Sequence, residues 1–203
     1  MTVADEAVAP PARAVPVSAS RSWAILVGGL IGLGASVTLT VEKIQLLLDS
    51  GYVPSCNLNP VLSCGSVMVT PQASVFGFPN PLMGIVAFTV VVVTGVLAVA
   101  DVALPRWYWG GLAIGTAAGA GFVHWLIFQS LYRIGALCPY CMVVWAVTLC
   151  LLVIFAALAF EPADIHKNLQ HLHRWRWTLA ALWFIALFLL IFIRFQDYWI
   201  TLL

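Results

Sequence analysis

Charge is what this sequence has least of. Nine Lys and Arg and eight Asp and Glu are spread over 203 residues, or 8% of the chain, against 63% apolar side chains. A water-soluble domain carries about a quarter charged residues to solvate its shell. So small a set excludes an ordinary soluble fold and leaves lipid as the solvent for most of the chain. A formal net charge of +1 offers no basic footprint for nucleic acid. Lys and Arg are missing altogether from residues 44–105. The strand-period alternation of a membrane barrel is missing too, which leaves helices as the spanning elements. No convincing cleavage site precedes Glu42–Lys43, so the first apolar run reads as a retained helix and not a signal peptide.

What is present is a series of apolar runs: Trp23–Val41, Asn80–Ala100, Trp107–Tyr132, Cys138–Phe160 and Thr178–Phe195. They predict an all-α integral membrane protein. A four-helix transmembrane bundle over 23–160 includes an extracytoplasmic loop, 49–79, that carries cysteines and prolines. A cytoplasmic loop follows over 161–177, then a fifth transmembrane helix and a short outer C-terminus over 178–203. Residues 1–22, rich in Ala, Pro and Ser, read as a disordered cytoplasmic tail. Gly28, Gly29, Gly32 and Gly34 are expected to let the first helix approach a neighbour, and Gly111, Gly115 and Gly119 to form a small-xxx-small packing face on the third.

Orientation follows Lys and Arg, which favour the cytoplasmic side. With the N-terminus inside, Arg13, Arg21, Arg106, Lys167, Arg174 and Arg176 are inner, and Lys43, Arg133 and Arg194 are outer. The 49–79 loop, the 133–137 turn and the C-terminus then lie outside. Cys56, Cys64, Cys138 and Cys141 share that face, where disulfides persist.

Cys138-Pro139-Tyr140-Cys141 opens a predicted helix. Cys138 falls near the N-cap, Pro139 near the first helical position and Cys141 near the third. Unpaired N–H groups and the positive dipole end stabilise a thiolate there, and proline is tolerated. The competing role is a structural zinc site made of all four thiolates. The placement favours redox chemistry. Cys56 and Cys64 lie close enough in sequence to close a disulfide at modest entropic cost, either as a static staple of the loop or as a shuttle pair. Two pairs on one face favour the shuttle, with electrons passing from a soluble dithiol through the loop pair to Cys138–Cys141. Cys150, in mid-span, reads as inert packing.

These residues resemble the vitamin K epoxide reductase family in its bacterial form, over about Trp23–Phe160. The matching pieces are Cys56-x7-Cys64, Thr70, Phe76-Gly77, Asn80-x3-Gly84 and Cys138-x-x-Cys141. The resemblance implies a four-helix bundle around a quinone, menaquinone or ubiquinone, capped by the outer loop, with no resident metal. It implies that Cys141 lies next to the quinone with Cys138 as its partner. It implies that Cys64 bridges transiently to Cys138, and that Cys56 is the other shuttle cysteine. Thr70 stands where the family often has a loop Ser, and Asn80 where the animal enzymes have an Asn that hydrogen-bonds a quinone oxygen. Gln72 replaces a frequent Trp. Trp145 replaces a Tyr of the animal enzymes, and its indole donates but cannot accept a hydrogen bond.

The function expected is a thiol–disulfide oxidoreductase of the bacterial inner membrane. It reoxidises a separate extracytoplasmic thioredoxin-fold (DsbA-like) protein and passes the electrons to quinone. The alternatives are vitamin K epoxide or quinone reduction as the main activity, or a non-enzymatic thiol-gated or metal-binding membrane protein. His124 reads as a hydrogen-bonded packing residue ahead of a proton relay. Trp23, Trp107, Trp109 and Trp199 read as interface anchors. His166, His171 and His173 belong to the basic cytoplasmic loop.

Overall fold

The structure, a computed structural model, describes residues 14–49, 51–160 and 167–200, the last from backbone alone over 167–173. Arg13 and the rest of residues 1–13, His166 with the start of the 161–177 loop, the side chains of Lys167, His171 and His173, and residues 201–203 lie outside the described part.

Among the described residues, five helices are long and apolar enough to cross a membrane, and they make this a multi-pass α-helical membrane protein. They belong to α1 (Ala19–Leu48), α3 (Pro81–Val99), α4 (Arg106–Gln129, continued by a π turn over Ser130–Ile134), α5 (Pro139–Ala159) and α6 (Lys167–Arg194). The short helices α2 (Cys64–Met68) and α7 (Gln196–Ile200) and a 3₁₀ turn (Pro71–Ser74) complete the helical set. At 30 residues, α1 is about 45 Å long, against a hydrocarbon core of about 30 Å. Its last turns therefore stand clear of the bundle, where the cysteine loop meets them.

Two boundaries differ from expectation. The tail predicted to be disordered through residue 22 has defined structure from Ala14. There β1 (Ala14–Val15) pairs antiparallel with β2 (Leu104–Pro105), and Val15 and Val17 pack against the central core. The run of Ala and Pro hid two valines with a surface to bury. At the other end, α6 begins at Lys167, inside the predicted 161–177 loop. Polar side chains over 167–177 do not stop a helix that carries no proline or glycine.

The bundle is built on α1, which packs along α3 on one side and α5 on the other, while α4 packs along α5. The α1–α3 seam is the closest. A Cβ on Gly95 would lie 2.5 Å from the Leu26 Cα, a backbone atom that cannot move aside. On α1, Gly29 meets Val92 and Gly32 meets the Phe88 ring, as the sequence predicts, whereas Gly34 faces open space. Gly95→Ala is accordingly expected to destabilise the bundle by about 2 kcal/mol or more. Gly110→Ala, where nothing lies within 4 Å, should leave stability unchanged or slightly raised. Thermal unfolding of the two variants in detergent tests the contrast.

The central core gathers Ile25, Phe88, Trp109 and Phe155. Trp109, expected as an interface anchor, is fully buried instead. It turns inward from the first turn of α4, 6.2 Å from the Phe155 ring. Trp23 and Trp107 are exposed, as belt residues should be. Trp199 packs instead into a second cluster that includes Phe195. The fifth spanning helix leans on the bundle through Trp183, edge-on to His124 at 5.2 Å, and through Arg194, whose Nε donates to the Leu131 carbonyl at 2.9 Å.

Candidate thiol–disulfide site

Two helix starts face each other at one end of the bundle. α5 opens as its sequence predicts. Cys138 is the N-cap in extended conformation, Pro139 follows at the first helical position, and the Cys138 Sγ accepts the Cys141 backbone N–H at 3.3 Å. α2 begins at Cys64, capped by Ser63, whose Oγ accepts the Ser66 N–H at 3.2 Å. Backbone hydrogen bonds lock the two starts together: Ser63 N–H donates to Leu137 O at 2.9 Å, and Leu137 N–H to Val61 O at 2.7 Å. The residue after each anchor is a cysteine. The result is a Cys64–Cys138 sulfur separation of 3.2 Å, within the range of a near-attack geometry.

Cys56 and Cys64 are joined in a disulfide, while Cys138 and Cys141 are free thiols. The loop between the bonded pair is folded by asparagine side chains. Asn57 Oδ1 accepts the Gly65 N–H at 2.8 Å. Asn59 Oδ1 accepts the N–H groups of Val61 at 2.9 Å and Leu62 at 2.7 Å, an Asx turn of the kind Asn favours. Sequence reading passed over both residues, although an Asn followed by proline was a turn signal.

Burial corrects one expectation. A pair that takes electrons from a soluble dithiol in an extracytoplasmic loop should face water, but Cys56 is 5% exposed and Cys64 has no exposed surface. The loop lies down on α5 and α1 instead of standing off them, because Leu39, Met68 and the cysteines themselves form an apolar cluster with Cys138. The Cys138 thiol is held below the usual thiol pKa, first by the hydrogen bond from the Cys141 thiol. The backbone N–H groups of Cys141 and Tyr140 add to this, against burial, which raises it. A sulfur that its neighbours help to carry charge thus lies against the loop disulfide.

Behind Cys141 lies a cavity of about 620 Å³, bordered by Asn80, Phe122, Trp145, Gly115 and Gly119. Its walls are mostly apolar with a few polar groups, the usual character of a site for a flat organic cofactor. Gly111 and Gly115 do not pack against another helix as expected: a Cβ on either would meet nothing within 4 Å. They border the cavity. α3 packs on α1 and α4 on α5, with no comparable seam between α3 and α4, so the cavity borders on the gap between them.

The supporting residues sort by position. Trp145 is buried and lines the cavity beside Cys141. Asn80 lines it too, but its carboxamide also holds the loop: Nδ2 donates to Gln72 O at 2.7 Å and Oδ1 accepts the Val75 N–H at 3.1 Å. Gln72 meets Asn80 with its backbone carbonyl and itself borders the cavity. Thr70 does not line the cavity. Its Oγ1 donates to Val67 O at 2.7 Å and ties α2 to the following turn. His124 Nδ1–H donates to its own helix, to Ala120 O at 2.7 Å, and its ring lies edge-on to Trp183; the residue does not line the cavity. Cys150 stays apart from the other sulfurs. Among the described residues, no group of three His, Cys, Asp or Glu side chains is arranged to hold a metal ion.

In comparisons with known proteins, the model of the vitamin K epoxide reductase family matches residues 23–156. A search of curated proteins finds no match.

Proposed function

The chain belongs to the vitamin K epoxide reductase family, and we propose that it is a quinone-linked oxidase of thiols on the outer face of a bacterial cell membrane. Its donor is a separate thioredoxin-fold protein of the DsbA-like kind, and its service is disulfide formation in exported proteins. The observation that carries this reading is the 3.2 Å contact between Cys64 and Cys138. It connects a loop disulfide to a helix-capping C-x-x-C that fronts an apolar cavity.

A donor dithiol attacks the Cys56–Cys64 disulfide and leaves as a disulfide, reducing the loop pair. Cys64 then exchanges with Cys138, and Cys56 with Cys64, which restores the loop disulfide and leaves Cys138 and Cys141 as thiols. The structure has this last arrangement of bonds. A quinone, when bound, supplies a two-electron, two-proton acceptor. Cys141, Asn80 and Trp145 border the cavity where it would sit, and the mostly apolar walls favour such a group over water. Outward placement of the cysteines agrees with the absence of Lys and Arg from residues 44–105 and with the redox chemistry of that side.

The test is steady-state reduction of a soluble quinone by a reduced thioredoxin-fold protein, with metal analysis of the same preparation. One quinol per dithiol oxidised is expected. Stoichiometric zinc together with no quinone reduction would sink the proposal.

A further inference from the structure

The outer end of α1 carries two adjacent charged residues, Glu42 and Lys43, that the exchange steps leave unused. Glu42 is buried. Its Oε1 accepts the Ser55 hydroxyl at 2.5 Å and its Oε2 the Tyr52 hydroxyl at 2.8 Å, while the Ser55 backbone N–H lies 3.3 Å from both oxygens. A carboxylate taken out of water needs such donors, and here they all come from the arm that leads into Cys56. Tyr52 registers the charge: its hydroxyl is held above the usual phenol pKa, first by this hydrogen bond. Lys43 grips the other flank, its Nζ donating to Met68 O at 2.6 Å, at the end of the helix that starts with Cys64. Consecutive residues of one rigid helix thus hold the two arms of the loop separately.

Exchange among three sulfurs makes that division matter. Cys64 bonds either Cys56 or Cys138, and the sulfur it releases must stay within reach. Cys138 is held by its capping position and by the backbone bridge at Leu137. Cys56 begins no helix. It is held by its place in the apolar cluster, by Asn57, the next residue, whose N–H donates to Pro54 O at 3.0 Å and whose Oδ1 accepts the Gly65 N–H, and by the grip on Ser55, the residue before it, which alone of these anchors the arm to a spanning helix by hydrogen bonds. We propose that Glu42 is a positioning residue that keeps Cys56 within reach of Cys64 while their bond is open. The inference rests on the thiol relay proposed above.

The step it serves balances as follows. With the loop reduced, the Cys64 thiolate bonds the Cys138 sulfur, the Cys138–Cys141 bond breaks, and Cys141 leaves as a thiolate. The Cys56 thiolate then bonds Cys64, the Cys64–Cys138 bond breaks, and Cys138 leaves. Two loop thiols have become a disulfide, one disulfide has become two thiols, and the protons given up by Cys64 and Cys56 are balanced by those taken up at Cys141 and Cys138. If Cys56 drifts, the second exchange slows and the Cys64–Cys138 mixed disulfide accumulates.

The full chain in membranes is driven with a reduced thioredoxin-fold protein and a soluble quinone, acid-quenched during turnover, and its disulfides are mapped by mass spectrometry. Glu42→Ala is expected to raise the mixed disulfide by about tenfold over wild type, since small displacements of reacting groups cost rates of this order or more. Glu42→Gln, which keeps the shape and part of the hydrogen bonding, should return most of the way to wild type. The double variant Tyr52→Phe/Ser55→Ala removes the hydroxyl donors from the loop side and should reproduce the rise, which covers the case in which Glu42→Ala fails to fold. Wild-type levels in Glu42→Ala and in the double variant would overturn the assignment. So would an equal rise in Lys43→Met, which loosens the other flank. Cys56→Ala separates the two layers of argument. If it fails to trap the mixed disulfide, the relay itself falls; if it traps it and the Glu42 variants do not, only the role of Glu42 falls.

Discussion

Cys138→Ala and Cys141→Ala are each expected to lower quinone reduction by about 10³-fold or more, whichever thiol donor drives it. In the proposed relay these two sulfurs are the last in the chain of exchange. Cys141 alone of the four borders the cavity, and the Cys138 sulfur lies 3.2 Å from that of Cys64. No other cysteine can substitute, because Cys150 stands apart in α5. Cys56→Ala and Cys64→Ala should lose comparable activity with a thioredoxin-fold donor, which has no other way in. With a small membrane-permeant dithiol they should keep a measurable fraction, since such a donor reaches Cys141 through the cavity. Steady-state quinone reduction in the four single variants, with both donors, checks this. Equal retention in all four would refute the division into two pairs.

The second large effect is expected at Gly115. Its missing side chain leaves open space, with nothing within 4 Å of a Cβ placed there, yet the residue borders the cavity. Gly115→Phe should therefore fill volume without straining the bundle, and removing a helical glycine favours folding. Quinone reduction should fall by about ten- to a hundredfold, carried mainly by a higher KM, which corresponds to about 1.4–3 kcal/mol of lost binding. Thiol exchange should be spared: a reduced thioredoxin-fold donor should still convert Cys138–Cys141 to thiols in the absence of quinone, at the wild-type rate. Quinone titrations and single-turnover thiol counting on one preparation read both. Unchanged quinone kinetics would mean that the acceptor binds elsewhere.

Much of the architecture was legible in the sequence because lipid demands long apolar helices, and such helices announce themselves. The four spans of the bundle stand where the apolar runs are, and Cys138, Pro139 and Cys141 take the capping positions that their order implied. What stayed hidden depends on tertiary neighbours. Gly29 and Gly111 look alike in sequence, yet one lets α3 approach while the other leaves room beside a cavity. Trp109 looked like an interface residue because it sits near a helix end, and only the packing of Phe155 shows that it points inward. The burial of Cys56 and Cys64 depends on the bridge between Val61–Ser63 and Leu137, a pairing across more than seventy residues (separation 74 for the sulfurs themselves) that no local pattern encodes. Glu42 was read only as the end of an apolar run, since nothing nearby in sequence shows that Tyr52 and Ser55 return to it.

The sealed position of Cys64 has an electrical consequence. In the proposed relay three sulfurs stand in series, the middle one without exposed surface, so the path has no terminal toward water at its centre. Dissolved thiols and oxidants cannot short-circuit it at the middle contact. Discrimination between the proposed donor and the general thiol pool then falls to the two ends of the series, where the loop pair meets its donor and where Cys141 borders the cavity.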